Sequence, residues 1–155
     1  MTLPLELSPF YGLVRHERID STNEEAKRLA AAGAPNGTLV WAGEQTAGRG
    51  RRGRGWVSPA GNLYLSLLLR PHCPLAVACQ VNFAAGVALA EALAAFLPTG
   101  KTASLKWPND VLVGDAKVSG ILLEASATAD GMVDWLVVGV GVNVVQAPTD
   151  TPYPA

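Results

Sequence analysis

Residues 45–61 hold five glycines, four arginines and Pro59, with no apolar residue recurring at a helix or strand period. Such a stretch cannot be the interior of a helix or of a central strand. The fold must therefore be assembled from the elements on either side of a long excursion. Loops of that length inside a compact unit usually carry function. At its centre, Gly48-Arg49-Gly50-Arg51-Arg52-Gly53-Arg54-Gly55-Trp56 puts four of the chain's 12 basic residues into six positions. Gly48-x-Gly50-x-x-Gly53 fits the dinucleotide fingerprint literally, but that fingerprint needs a helix opening at its glycines. Gly55, Pro59 and Gly61 follow instead, so the fingerprint is rejected. Glycine permits positive φ and close backbone approach to an anion, and arginine adds a planar, permanently charged fork. The loop therefore suits a small ligand bearing carboxylate and phosphate. The ordinary reading of an isolated Arg/Gly run is a solvated basic loop or a nucleic-acid-binding segment.

Before the loop, residues 13–19 read as a strand. Ser21 reads as a helix cap, with Glu24 completing a capping box. The helix runs through Ala32 and stops at Gly33. Residues 38–43 form a second strand. After the loop, residues 62–70 alternate Leu63, Leu65 and Leu67 against Tyr64, Ser66 and Leu68, which is strand periodicity. Residues 75–97 form an Ala-rich helix, interrupted by Gln80, Asn82 and Glu91 and expected to be buried rather than membrane-spanning. Four strands follow, at 104–107, 110–113, 116–125 and 132–145. Pro108-Asn109 is expected to form a type I turn between the first two. Residues 146–155 contain three prolines and are expected to be extended or disordered. The pattern predicts an α+β fold: one mixed sheet with helices packed on it, in a single domain over 1–155.

The remaining composition is restrictive. With 49% apolar and 16% charged residues, disorder is excluded as an overall state. A net charge of -1 gives no global attraction to nucleic acid or membrane. Residues 1–9 lack a basic region and an apolar core, so no secretory leader is expected. Cys73 and Cys79 are too few for a disulfide framework, and free thiols point to a reducing cytoplasm.

Three further groups stand out. Lys106-Trp107-Pro108-Asn109-Asp110 gathers polar side chains around a turn that accounts for Pro108 and Asn109 alone. Lys117 precedes the uncharged run Val118-Ser119-Gly120-Ile121-Leu122-Leu123. It is either a strand-edge lysine or a fixed point charge for a carboxylate or phosphate. In Val138-Gly139-Val140-Gly141-Val142-Asn143, a period of two puts the valines on one face. Gly139, Gly141 and Asn143 share the other, leaving room there for a ligand or another backbone.

Taken together, six motifs resemble biotin protein ligases. They are Ser21-Thr22-Asn23; the run from Gln45 through the Gly-Arg loop to Trp56; Asn62-Leu63-Tyr64-Leu65-Ser66; Lys106-Trp107-Pro108-Asn109-Asp110; Lys117-Val118-Ser119-Gly120-Ile121-Leu122; and Gly139-Val140-Gly141-Val142-Asn143. The resemblance implies a fold related to class II aminoacyl-tRNA synthetases and lipoate ligases. It implies activation of biotin by ATP with Mg²⁺ to biotinyl-5′-AMP. Transfer to a lysine of the biotin carboxyl carrier protein of acetyl-CoA carboxylase follows, with no nucleic acid or membrane partner and with a homodimer left open. By resemblance, Ser21, Thr22, Asn23 and Gln45 line the ureido end of biotin. Gly48, Arg49, Gly50 and Arg51 fold over it, and Tyr64, Gly120 and Gly139 shape the pocket. Lys117, Arg49 and Arg51 are the catalytic set, with Lys117 on the carboxylate. Arg54, Trp56, Lys106, Asn109 and Asn143 contact ATP, and Asp110 meets Mg²⁺. The sequence shows neither the helix-turn-helix region of the repressor-type relatives nor a C-terminal β-barrel. Its last residues look like the start of a nucleotide-covering loop. A lipoate ligase or octanoyltransferase relative and a non-catalytic biotin-binding fragment remain as alternatives.

Overall fold

The computed structural model describes residues 6–149. Seven strands form one sheet: β1 Gly12–Ile19, β2 Thr38–Gln45, β3 Leu63–Leu69, β4 Ala103–Lys106, β5 Asp110–Val113, β6 Ala116–Ala127 and β7 Val133–Val142, with α1 Thr22–Ala31 joining the first two. Their spatial order is β1-β2-β3-β7-β6-β5-β4. Only β1 and β2 run parallel, as the α1 crossover requires. The other pairs are antiparallel. The expected mixed sheet is the observed one.

Each face has its own core. Tyr64, Ser66 and Leu68 are fully buried, as one face of an alternating strand should be. Leu68 joins Val40, Val137, Ala26 and Ala30 beneath α1. On the other face, Leu136, Val138, Ile121 and Val133 pack with Ala78 and the half-buried Val81, Ala85 and Leu89. Ser21 caps α1 by accepting from the Glu24 N–H. The reciprocal half of the capping box does not form. The Ser21 N–H goes to Asp20 Oδ1 at 2.8 Å, because the Glu24 carboxylate is drawn to Lys27 and Arg49.

The Ala-rich segment departs from expectation twice. It is two helices, α2 Leu75–Ala78 and α3 Val81–Ala94. It is also mostly exposed, with Gly86 the one buried residue of α3, while Phe83 and Val87 stand about half exposed. The segment is apolar all round, but the sheet covers one side only. By length and hydropathy Leu75–Ala94 could cross a membrane.

The turn between β4 and β5 contains a cis Trp107–Pro108 peptide in place of the expected type I turn. Of the tail, residues 146–149 are described and 150–155 lie outside the described residues. Gln146 is pinned rather than loose: its N–H donates to Asn62 Oδ1, and its Nε2 donates to the Ala60 carbonyl. Cys73 and Cys79 are free thiols.

Candidate active site

The start of α1, the end of β2, the Gly-Arg loop, the β4–β5 turn, the middle of β6 and the last residues of β7 meet around a cavity of about 340 Å³. Ser21, Thr22, Asn23, Gln45, Arg49, Gly50, Arg51, Arg54, Trp56, Lys106, Asn109, Asp110, Lys117, Gly120 and Gly139 all line it. These are fifteen of the residues singled out from the sequence. Gly48, Tyr64 and Asn143 do not line it. Gly48 is needed for packing, since a Cβ there would strike the Trp56 carbonyl and Ser58 Oγ. Tyr64 is fully buried and donates its hydroxyl to the Pro59 carbonyl at 2.8 Å. Asn143 follows the last residue of β7; its N–H bonds the Val118 carbonyl, and its Oδ1 is buried with no partner among the described residues.

One end of the cavity is a chain of polar groups. Gln45 Oε1 accepts from the Thr22 N–H at 2.8 Å and lies 3.1 Å from Thr22 Oγ1. Ser66 Oγ is 2.8 Å from Thr22 Oγ1 and 2.5 Å from Asn23 Oδ1. Both amides are oriented from behind. Gln45 Nε2 donates to Ser58 Oγ, which donates on to the Trp56 carbonyl. Asn23 Nδ2 donates to Glu124 Oε2 at 2.9 Å. Three oxygen–oxygen contacts therefore share the two hydroxyl hydrogens of Thr22 and Ser66. The cluster is short of hydrogens, so it favours a ligand that brings N–H donors. Sequence reading missed Ser66, Ser58 and Glu124. A serine on the buried face of an otherwise apolar strand was the available signal for Ser66.

Glycines make room for these groups. A Cβ on Gly139 would fall on the Asn23 amide, and one on Gly141 would fall on the Trp56 indole. Trp56 lies against Gly120 and Gly141, with its Nε1 buried and without an acceptor among the described residues.

Lys117 reaches the cavity through a β-bulge. Val111 pairs with Ser119 and Leu112 with Lys117, leaving Val118 as the extra residue. Strict alternation would put Lys117 on the face of Ile121 and Leu123. The bulge turns it to the face of Gly120, a common use of bulges beside functional sites. Its ammonium is 2.9 Å from Asp110 Oδ1 and 5.4 Å from the Trp56 ring centroid. Asp110 thus holds a lysine. No cluster of three or more His, Cys, Asp or Glu occurs among the described residues.

The loop is more ordered than its composition suggests. Trp56 N–H bonds the Gly48 carbonyl, Gly50 N–H bonds the Arg54 carbonyl, and a 3₁₀ turn, Arg51–Gly53, closes the tip. Arg52 and Gly53 have positive φ. Gly50 does not, and its N–H is already used within the loop. Arg49 pairs with Glu24 on α1, and Arg51 donates to Asn109 Oδ1 at 2.9 Å. The strap is thus tied down on two elements. Asn109 is fixed in turn by donating to the Ile121 carbonyl.

The sheet thus carries a Gly-Arg strap over a polar cavity. The chain belongs to the biotin/lipoate A/B protein ligase family, which it matches over residues 16–143. It is 49% identical over 131 residues to the biotin–[acetyl-CoA-carboxylase] ligase of Paracoccus denitrificans, covering 84% of this chain and 54% of that one. It resembles the structure of the Aquifex aeolicus biotin protein ligase in complex with biotin and ATP, with a TM-score of 0.74 and 39% identity, over 92% of this chain and 57% of that one. The Leishmania major biotin protein ligase in complex with biotinyl-5-AMP gives a TM-score of 0.77 at 27% identity, over 96% and 63%. The chain therefore spans about half the length of the Paracoccus relative.

Proposed function

We propose that this chain carries the biotin-activating site of a biotin protein ligase. The observation that carries the reading is the hydrogen-poor cluster of Gln45, Thr22 and Asn23, joined by the buried Ser66 behind them, in one cavity with Lys117. A cyclic urea brings the N–H donors that this cluster lacks, and a carboxylate suits the ammonium. A lipoyl or octanoyl chain has no N–H to offer, which favours biotin over the other branch of the family.

In this reading a biotin carboxylate oxygen attacks the α-phosphorus of ATP. Pyrophosphate leaves and biotinyl-5′-AMP forms. Lys117, Arg49 and Arg51 supply fixed positive charge where negative charge gathers on the acyl phosphate. Trp56, Arg54, Lys106, Asn109 and Asn143 serve the nucleotide. Mg²⁺ on the ATP phosphates would neutralise part of their charge, while Asp110 pairs with Lys117. The ε-amine of a carrier lysine then attacks the acyl carbon, AMP leaves, and an amide is formed. The acceptor is the biotin carboxyl carrier protein of acetyl-CoA carboxylase, in a cytoplasm that keeps Cys73 and Cys79 reduced. ATP–pyrophosphate exchange tests the proposal: biotin should be required for exchange. Exchange equally supported by lipoate, or absent while biotin still binds, would reduce the role to a relative's activity or to binding alone.

A further inference from the structure

Glu124 lies on β6 outside the cavity lining, yet it touches the cavity floor through Asn23. An ionised carboxylate only accepts hydrogen bonds, so the Asn23 atom facing it must be nitrogen. The Leu122 carbonyl lies 3.5 Å from the same Nδ2 and demands the same orientation. Oδ1 is thereby forced towards Ser66 Oγ. Turned over, the amide would put oxygen against two acceptors and would donate into the hydroxyl chain, satisfying it internally. The ligand-demanding character of the cluster therefore depends on which way Asn23 points. Lys27 pairs with the other oxygen of Glu124 at 3.0 Å and also bonds Glu24, the partner of Arg49, so the oxygen that faces Asn23 does not depend on it.

We propose that Glu124 is a positioning residue. By fixing the amide of Asn23, it keeps the polar end of the cavity short of hydrogens and so selective for a ligand that donates N–H groups. The consequence for biotin rests on the proposed function; the orientation of Asn23 does not.

Two measurements keep these apart. In the ligand-free protein, the Asn23 side-chain NH₂ signals are assigned by their loss in Asn23→Asp. Their exchange with solvent should be about tenfold or more slower than that of exposed asparagines, rise to the exposed rate in Glu124→Ala, and stay slow in Glu124→Gln, whose carbonyl can still accept. Biotin affinity, measured by calorimetry, should fall about tenfold in Glu124→Ala and stay within about threefold in Glu124→Gln and Lys27→Met, with ATP affinity unchanged throughout. Unchanged Asn23 exchange in Glu124→Ala overturns the proposal. So does unchanged biotin affinity, Glu124→Gln or Lys27→Met behaving like the alanine variant, or a parallel loss of ATP affinity. If the wild type binds no biotin, the functional reading fails, and the exchange measurement still decides what Glu124 does.

Discussion

Lys117 Nζ lies 2.9 Å from Asp110 Oδ1, with both side chains largely buried. The pair spans the bulge that turns Lys117 into the cavity. Removing the lysine should have two separable effects. Lys117→Ala should weaken biotin binding ten- to a hundredfold, the loss of one charge-assisted hydrogen bond worth ~1.5–3 kcal/mol. It should also lower unliganded stability by about 1–3 kcal/mol, because Asp110 is left partly buried without its partner. The double variant Asp110→Asn/Lys117→Met should recover most of the stability and none of the affinity. Urea unfolding alongside calorimetry checks both. Recovery of affinity in the double variant would make Lys117 a structural lysine.

The strap over the cavity is held lightly. Arg49–Glu24 is a half-exposed ion pair, and such pairs contribute ~0–1 kcal/mol. Glu24→Ala should therefore raise tryptic cleavage at Arg49, Arg51, Arg52 and Arg54 by only about threefold. Biotin with ATP should suppress cleavage in both proteins. Equal cleavage rates with and without ligand would show that the strap does not contact what the cavity holds.

Gly139 is fixed by the side chain above it rather than by its own dihedral angles. A Cβ there would collide with the Asn23 amide. Gly139→Ala should cost about 1–3 kcal/mol of stability as an overpacked site, and should weaken biotin by more than tenfold as Asn23 is pushed aside. Melting curves and a biotin titration of this variant check both. Wild-type affinity in Gly139→Ala would mean that Asn23 is not part of the site.

What the sequence disclosed, it disclosed through periodicity and small residues. Alternation in 62–70 placed Tyr64, Ser66 and Leu68 on one face, and the glycines of β7 marked open space beside the sheet. What it could not show were events between elements. The bulge at Val118 leaves no residue signature, yet it decides which face Lys117 joins. Nor could it show that the Tyr64 hydroxyl finds the Pro59 carbonyl. The contact of Asp110 with Lys117 joins residues seven apart across a turn and a bulge, and no motif announces it. The Ala-rich helices read as buried because their composition is apolar, whereas burial depends on how much sheet is there to cover them.

Acid should unfold the protein through its hydrogen-bonded carboxylates. Two guanidinium bonds from Arg28, with the Ser21 N–H adding to them, hold the Asp20 carboxyl down at about 2 against burial, which raises it. At Glu124, burial pushes the carboxyl up, but hydrogen bonds from Asn23 and Lys27 outweigh it and leave it lowered. A carboxyl lowered by folding stabilises above its unfolded pKa, and that stability is lost as pH falls towards its folded one. For Asp20 the window runs from about pH 4 down to pH 2. Urea unfolding across that window should show stability falling in the wild type and falling less steeply in Asp20→Asn. An identical slope in both would remove Asp20 from the acid response.

In the proposed function one cavity meets both ends of biotin, the N–H groups at Thr22, Asn23 and Gln45 with Ser66 behind them, and the carboxylate at Lys117. Calorimetric titration of the ligand-free protein with biotin, and separately with lipoate, tests it most directly. One-site binding of biotin, no binding of lipoate at the same concentrations, and a ten- to hundredfold loss in Lys117→Ala is the predicted result. Lipoate bound as tightly as biotin, or no heat with biotin at all, would contradict it.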